Sequence, residues 1–375
     1  MIGTGFIAKG FTRAMADQTD VEITRVLTRR ELKSCGDFPC PDLLTHSAEE
    51  LIDRADVIVE CSGDVVHATN IIDLALKAGR PVVTMDAEWH VTVGSAYADK
   101  GLVTEAEGDQ PGVLAALRED ILQMGFRPLV YGNIKGFYNP DPKPDEMRYW
   151  AKKQGLSLTM VTAATDGTKV QFEQVLVANG FGADMLKEGF SAPKVKDVSQ
   201  SAQELAARAK QHGRPVSDYV ICSGFPARVF IVAEHSVEQQ AALEYLKLGK
   251  GPYYVLYHNT TLCHLEIIKT VRRVLNGGGV LLNNSPAPRI SMAAVAKKDL
   301  PAGHQIGPAC GSFELRGQAV AIKDRPQHAP IGLLNHAVIR WAVAKDQILE
   351  WDDVDVPASL AVKAWKDVTS KMRKG

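Results

Sequence analysis

The chain has 375 residues, which predicts two or three domains, and its 45% hydrophobic and 23% charged content is that of an ordinary globular protein. Its 43 lysines and arginines nearly balance its 44 aspartates and glutamates, so no long-range field attracts nucleic acid or an anionic membrane. No stretch approaches the roughly 18 consecutive apolar residues of a membrane-spanning helix. The six cysteines are scattered, which predicts reduced thiols and a cytoplasmic protein.

The N-terminal segment contains a glycine-rich turn, Gly3-Thr4-Gly5-Phe6-Ile7-Ala8. Glycines in this pattern permit a tight turn and a close approach of the backbone to a pyrophosphate, while the small Ala8 lets the next helix pack closely. Such a turn follows a buried strand, but only two residues precede it here. We therefore expect the chain as given to lack most of its first strand. The alternative is a glycine turn that binds nothing.

Strands and helices alternate after this turn. Period-two or buried apolar runs predict strands at residues 21–27, 56–61 and 80–85. Helical patterns lie between them, at residues 8–16, 48–53 and 66–78. Short connections between the two kinds of element predict a parallel sheet covered on both faces. The fold class is therefore α/β, with a Rossmann-type doubly wound domain over residues 1–125.

The end of the second predicted strand carries Thr28, Arg29 and Arg30, where NAD-specific sites usually place an acidic residue. A hydroxyl and two guanidinium groups suit the 2′-phosphate of NADP, so NADP is favoured over NAD; a pair of solvated surface arginines is the alternative. Ligands of such sheets bind at the carboxyl ends of the strands. The predicted cofactor-binding residues are Gly3, Gly5, Phe6, Ile7, Ala8, Thr28, Arg29, Arg30, Cys61, Ser62, Gly63 and Gly108.

The predicted catalytic residues lie in the middle of the chain. Residues 104–112 form an acidic, glycine-containing loop with Glu107 and Asp109, which we expect to face the nicotinamide unless it is a plain turn. Lys135 stands between glycines just after a strand, and Lys169 follows Asp166-Gly167-Thr168. An ammonium group can stabilise an alkoxide or transfer a proton. The alternative for the second segment is a helix cap.

Four motifs together resemble the homoserine-dehydrogenase-like oxidoreductases: the glycine turn and residues 83–88, 108–112 and 166–169. Residues 245–249 and 262–266 look like the branch of that family with an appended C-terminal SAF domain, which includes deoxyxylulose-phosphate reductoisomerase-like enzymes and sugar-acid oxidoisomerases. The likeness spans nearly the whole chain. It departs from the family at the short first strand and in the loop around Lys135, which lacks a second lysine and paired asparagines.

This resemblance implies a nicotinamide cofactor, a small-molecule substrate and a central α+β domain, residues 126–285, that holds substrate and forms a homodimer or a larger homo-oligomer. It also implies catalytic roles for Lys135, Lys169, Asp109 and Glu107. His258, Cys263, His264 and Glu266 are conceivable metal ligands. A polar loop before a helix at residues 265–275 is the favoured interpretation, so we predict no metal site.

Residues 286–375 are predicted to form a small β-rich domain that follows a linker rich in proline and asparagine. Residues 294–306 and 341–349 echo one another, which predicts two related hairpins. The segment resembles the SAF domain of sialic acid synthases and flagellar-ring chaperones. We expect a structural role for it, with carbohydrate binding as the alternative.

The sequence therefore predicts an NAD(P)-dependent oxidoreductase that transfers hydride between nicotinamide and a CH–OH group of a small polar hydroxy acid or sugar-derived substrate. An accompanying isomerisation, as in oxidoisomerases and reductoisomerases, is a further expectation. Two alternatives stay open. One is a homoserine dehydrogenase, and the other is a nucleotide-binding sensor without turnover.

Overall fold

The computed structural model describes residues 1–372, and the chain divides into two compact units. The first unit comprises Met1–Gly112, Leu262–Ala287 and the segment from Ala358 onward, and the second comprises Val113–Thr261 and Pro288–Pro357. The three-domain division drawn from the sequence stays a prediction. The last three residues of its third domain lie outside the described residues.

The secondary structure alternates between strands and helices in the first part of the chain and is richer in strands near its end. The strands are β1 Val26–Leu27, β2 Leu44–Thr45, β3 Ile58–Glu60, β4 Val82–Thr84, β5 Val103–Glu105, β6 Arg127–Lys135, β7 Val216–Ile221, β8 Arg228–Glu234, β9 Tyr254–His258, β10 Ile290–Ala296, β11 Leu315–Ala321, β12 Val338–Ile339 and β13 Val354–Asp355. The α-helices are α1 Phe6–Met15, α2 Ala48–Asp53, α3 Val65–Lys77, α4 Ala87–Val93, α5 Gln110–Gln123, α6 Pro144–Gln154, α7 Leu158–Thr165, α8 Thr168–Phe181, α9 Val198–His212, α10 Gln240–Tyr245, α11 Ile267–Leu275 and α12 Leu360–Met372.

A parallel sheet forms the centre of the first unit. β2 pairs with β1, and β3 pairs with β4, which pairs with β5. Ile2 joins the two groups, because it bridges Leu27 on one side and Glu60 on the other. The resulting order, β2–β1–Ile2–β3–β4–β5, is that of a Rossmann sheet, which confirms the predicted fold class.

The predicted strand at residues 21–27 is shorter in the structure, where only Val26–Leu27 form β1. The reason is that its neighbours are short. On one side β2 contributes only two residues opposite β1, and on the other side Leu27 N–H donates to the carbonyl of Met1, the first residue, at 2.8 Å. An alternating pattern alone does not make a strand where no partner strand runs alongside it.

Helices α1 and α11 cover the apolar core of the first unit. α1 buries Phe11 and Met15, and α11 buries Ile267 and Val271, each pair at the four-residue spacing of one helix face. These side chains pack in one cluster with those of β1, β3 and β4. The predicted helix at residues 265–275 therefore packs on the nucleotide domain, as expected.

The second unit is built on a four-stranded sheet of order β7–β6–β8–β9. β6 runs parallel to β7 and antiparallel to β8, and β8 runs antiparallel to β9. Helix α9 packs its buried alanines and Leu205 against apolar residues of this sheet. Helix α8 is buried over most of its length and reaches two sheets. Gln174 binds the Tyr131 carbonyl of β6, and Asn179 binds the Ile290 carbonyl of β10.

The C-terminal part of the second unit pairs in a way that the sequence did not predict. β10 pairs with β11 along seven residues. The two echoing segments pair with one another, since Val295 bridges Ile348 and Leu300 bridges Val343. The prediction of two separate hairpins is therefore wrong. Similar apolar runs can pair in a hairpin or with each other, and the sequence does not distinguish these registers.

Candidate active site

The glycine turn of the first unit is positioned by main-chain pairing on both sides. Ile2 N–H donates to the Val59 carbonyl at 2.8 Å, and Gly3 N–H donates to the Leu27 carbonyl at 3.0 Å. Gly3 has a φ of 102°, and a Cβ there would lie 2.9 Å from the Cys61 carbonyl oxygen. No other residue fits this position without strain, so the backbone of β3 and the turn are held in close contact.

Gly5 follows as the N-cap of α1, and no side chain caps the helix there. A Cβ built on Gly5 meets no atom within 4 Å, so the space in front of the helix is open. The first N–H groups of a helix attract anions such as a pyrophosphate. Ala8, which is fully buried, packs in the apolar core. The turn at Gly3, Gly5, Phe6, Ile7 and Ala8 thus joins the sheet to the open N-terminus of α1, and its role in binding a dinucleotide stays a prediction.

The other predicted cofactor residues follow neighbouring strands of the same sheet. Thr28, Arg29 and Arg30 come after β1, and Cys61, Ser62 and Gly63 come after β3. Because Ile2 lies between β1 and β3, these ends flank the glycine turn. The buried Thr28 hydroxyl lies 3.4 Å from that of Thr4 in the turn.

Sequence reasoning missed a partner of Arg29. Asp64 lies 2.7 Å from the Arg29 guanidinium, and its second oxygen accepts from His67 N–H at 2.9 Å, capping α3. Burial raises the pKa of Asp64, but the His67 N–H and Arg29 outweigh it and hold that pKa below its usual value. Arg30 N–H donates to Thr28. The aspartate two residues after Ser62 in a helix-capping position was the available signal.

Buried acids line the carboxyl ends of β3 and β4. Glu60 is fully buried; it accepts from the Ser62 N–H and hydroxyl and from the Thr84 hydroxyl. Burial raises the pKa of Glu60 and, more strongly, that of Asp86. Burial also lowers the pKa of His90 to about 3. Burial therefore disfavours the charged forms of Glu60 and Asp86.

The acidic loop after β5 is held tightly inside the first unit. Glu107 forms an ion pair with Lys269, and its N–H donates to Thr270 at 2.8 Å. Gly108 has a φ of 110°, and a Cβ there would lie 2.0 Å from the Cys263 carbonyl oxygen. Asp109 is buried. The loop is thus an ordered feature of the sheet edge.

Lys169 and two neighbouring side chains form a polar network in the second unit. Lys169 lies on the first turn of α8, and its Nζ is 2.7 Å from Glu173 Oε1, four residues along the helix. Asn133 of β6 donates to the other Glu173 oxygen at 2.9 Å. Glu173 and Asn133 are fully buried, whereas 37% of the Lys169 side chain is exposed. The amide fixes a buried carboxylate, which in turn fixes a lysine that reaches solvent.

Lys135 is the last residue of β6, two positions after Asn133. Successive side chains of a strand alternate between faces, so Lys135 shares the face of the sheet on which Asn133 meets α8. Its carbonyl accepts from Cys222 N–H at 2.8 Å, which holds the strand end against β7. Both predicted lysines therefore belong to the second unit, while Glu107 and Asp109 belong to the first.

A buried ion pair fixes the start of α8. Lys297 Nζ, directly after β10, lies 2.6 Å from Asp166 Oδ2 and 2.7 Å from the Ser312 carbonyl oxygen. The other Asp166 oxygen accepts from Thr168 N–H at 2.9 Å, although the N-cap residue of α8 is Gly167 and not Asp166 or Thr168. Burial raises the pKa of Asp166, and the Lys297 ammonium opposes that effect. Nothing in the sequence pairs these two residues.

The described residues contain no group of three histidine, cysteine, aspartate or glutamate side chains placed to hold a metal ion. His258 Nδ1 lies 2.6 Å from the Thr260 carbonyl oxygen, and Glu266 accepts from Leu262 N–H at 2.7 Å. Over residues 1–372, no helix has the length and apolar character needed to cross a membrane.

Two protein families match this chain. Residues 3–97 match the family described as homoserine dehydrogenase, NAD binding domain, and residues 108–267 match oxidoreductase DRL, catalytic domain. No curated protein matches the sequence. The two matches confirm the predicted enzyme class. The chain is an NAD(P)-dependent oxidoreductase.

Several solved structures have a related fold. A UDP-N-acetylglucosamine 3-dehydrogenase from Acidithiobacillus ferrooxidans is 11% identical, with 76% of this chain and 90% of that chain covered and a TM-score of 0.41. A dehydrogenase from Clostridium difficile is 13% identical, with coverages of 75% and 91% and a TM-score of 0.42. An amine dehydrogenase from Mycobacterium smegmatis is 12% identical, with coverages of 73% and 90% and a TM-score of 0.41. Likenesses this distant carry no functional argument.

Proposed function

We propose that this oxidoreductase interconverts the alcohol and ketone forms of a small polar hydroxy acid or sugar-derived substrate, with NADP preferred and NAD as the alternative cofactor. The observation that carries the proposal is the set formed by Lys169, Glu173 and Asn133. An alcohol that loses a hydride must also lose a proton, and a positioned lysine can accept it.

The first unit provides the residues that fit the cofactor. The open N-terminus of α1 and the glycine backbone at Gly3 suit the pyrophosphate, and Thr28, Arg29 and Arg30 suit the adenosine ribose and its 2′-phosphate. When bound, the nicotinamide supplies hydride acceptance or donation. In this proposal Arg29 exchanges its ion pair with Asp64 for the 2′-phosphate.

In the second unit, Lys169 holds or moves the proton of the substrate hydroxyl at its Nζ. Glu173 keeps that Nζ in place, because the Asn133 amide holds the buried Glu173 carboxylate in one orientation. Lys135 adds a second positive charge on the same face of the sheet, which stabilises an alkoxide.

The two acids of the loop after β5 have supporting roles in this proposal. Glu107 is already engaged by Lys269, so it orients the loop. Asp109, which is buried in the same loop, orients the reacting groups or relays the proton. Neither assignment rests on a contact with the lysines.

Finer features of the function are also proposed. The resemblance to sugar-acid oxidoisomerases and reductoisomerases suggests that the same lysines assist an enolisation or carbon shift. It also suggests a C-terminal SAF-like module and a homodimer or larger homo-oligomer. We propose that the enzyme works in the cytoplasm, because the described structure records no disulfide among its six cysteines.

The first test is nicotinamide fluorescence with NADPH and NADH, followed by turnover on hydroxy acids, sugar phosphates and homoserine. We expect NADPH to bind more tightly, and a hydroxy acid or sugar derivative to be turned over. Turnover confined to homoserine would replace the proposal with a homoserine dehydrogenase. Binding without any turnover across the panel would favour a sensor.

A further inference from the structure

Arg316 of β11 is a half-buried cation whose recorded hydrogen bond goes to a neutral group. Its Nη1 donates to Gln318 Oε1 at 3.1 Å, and the Gln318 amide nitrogen donates in turn to Glu188 at 3.1 Å. Among the described residues, Arg316 has no ion-pair partner. A guanidinium that is bound to a neutral amide can still pair with an anionic ligand.

Arg316 lies beside the first turn of α8, which also carries Lys169. The next residue along β11, Gly317, donates its N–H to the Thr168 hydroxyl at 2.9 Å. This main-chain contact, and not a flexible side chain, brings β11 to the helix start. A guanidinium on such a rigid support is positioned before any ligand arrives.

Two tyrosines converge on the same point from other elements. A Cβ at Gly167, which has a φ of 85°, would lie 2.7 Å from the Tyr138 ring and 3.7 Å from the Tyr219 hydroxyl. Tyr138 belongs to the loop that follows β6, and that loop is tied down where Asn139 N–H donates to the Thr165 carbonyl at 2.9 Å. Tyr219 is a fully buried residue of β7.

The electrostatics of this cluster favour an anion. Burial raises the pKa of Tyr138 and of Tyr219, and the charge of Arg316 opposes that rise in both. Both phenols therefore stay protonated at neutral pH and can donate hydrogen bonds. Of the nearby acids, Asp166 is bound by Lys297 and Glu173 by Lys169. The third, Asp218, also raises the pKa of Tyr219, and its carboxylate accepts from the N–H groups of Ser191, Ala192 and Tyr219.

We propose that Arg316, Tyr138 and Tyr219 form a subsite for an oxyanion group of the substrate, a carboxylate or a phosphate. A guanidinium binds either group through two parallel hydrogen bonds, and the phenols donate to the remaining lone pairs. The subsite would hold one end of the substrate while Lys169 handles its hydroxyl proton. This inference rests on the proposed function and narrows the substrate to an anionic hydroxy compound.

Calorimetry on the full chain saturated with NADPH tests the subsite. The probes are glycerate, glycerol 3-phosphate, inorganic phosphate and uncharged glycerol, in buffer of low ionic strength. We expect glycerate or the phosphate compounds to bind and glycerol not to bind. The anion that binds more tightly identifies the group as carboxylate or phosphate.

The variants are Arg316→Gln, Tyr138→Phe, and Arg340→Gln as a matched control. Arg340 is an exposed arginine paired with Asp355 in the same unit. We expect at least about tenfold weaker anion binding in Arg316→Gln, a smaller loss in Tyr138→Phe, and no change in the control. Tyr138→Phe keeps the ring on Gly167, so it remains informative if Arg316→Gln does not fold.

Anion binding that is equal in wild type, Arg316→Gln and Tyr138→Phe would overturn the subsite. So would wild-type protein that binds NADPH but none of the anions. Failure of NADPH itself to bind is a different result, because it contradicts the proposed function and not the subsite alone.

Discussion

The two units hold their candidate sites by different means. In the first, the candidate site is the main chain of the glycine turn, and its parts lie within the six residues from Gly3 to Ala8. In the second, the site is made of side chains from distant segments. Asn133 meets Glu173 across 40 positions of sequence, and Asp166 meets Lys297 across 131.

This difference determines how each site tolerates change. A site made of N–H groups depends on backbone conformation, so it is sensitive mainly where glycine is required. A buried network of charged and amide groups depends on every member, since removing one leaves the others without a partner at low dielectric. Substitutions in the second unit should therefore have the larger effects.

The largest effect is expected from Lys169→Met. Loss of a positioned proton acceptor lowers turnover by about 10²- to 10⁴-fold, whereas NADPH affinity should not change because the turn at Gly3 is untouched. Steady-state kinetics on the best substrate of the panel and nicotinamide fluorescence measure the two quantities. Lys152→Met, on the exposed face of α6, is the matched control. Turnover within threefold of wild type, roughly the uncertainty of such comparisons, would remove Lys169 from the reaction.

The next effect is on stability, in Lys297→Met. This change leaves Asp166 buried without its cation, which costs about 3–5 kcal/mol in the free energy of unfolding by urea. The double variant Asp166→Asn, Lys297→Met removes both charges and should recover a large part of that loss. If the double variant were as unstable as the sum of both single changes, the pair would not act as a unit.

The contrast between the units also explains what could be predicted from sequence. The parallel sheet and α1 follow from residues close together in the chain, and these predictions are confirmed. The glycine turn is equally local, and its cofactor-binding role stays a prediction. Lys169 was singled out because it follows a turn motif. Glu173 was not, because an acid in an apolar helix looks like an ordinary residue until Asn133 is brought against it. The same holds for Lys297 and Arg316, whose positions depend on how β10 and β11 meet α8.

The sequence also did not predict which strand segments pair with one another, or in which register. The two echoing C-terminal segments have the alternation of strands, but Val295 pairs with Ile348 and not within its own segment. Asp64 was within reach of sequence reasoning, since it precedes a helix and follows a strand end. Its ion pair with Arg29 depends on the packing of β1 beside Ile2 and β3.

In the first unit, Gly3→Ala should disturb both folding and cofactor binding. The added Cβ meets the Cys61 carbonyl at 2.9 Å, in a backbone conformation that alanine rarely adopts, so we expect a loss of about 1–3 kcal/mol in the free energy of unfolding. NADPH affinity should fall about tenfold, since each 1.4 kcal/mol corresponds to that factor. Gly36→Ala is the control, because Gly36 has a φ of −61° and a Cβ there meets nothing within 4 Å. Equal effects of both substitutions would show that the turn is not constrained.

The smallest effect concerns the choice between NADP and NAD. Arg29→Gln should weaken NADPH binding several-fold and leave NADH binding nearly unchanged, because an exposed charge-assisted contact contributes about 1 kcal/mol. Asp64→Asn should act in the opposite direction. It releases Arg29 and removes a negative charge near the ribose, while asparagine still caps α3. The ratio of NADPH to NADH dissociation constants, measured by fluorescence at two salt concentrations, separates these effects from general screening. If Arg29→Gln weakens both cofactors equally, Arg29 supports the fold of the sheet edge and does not recognise the 2′-phosphate.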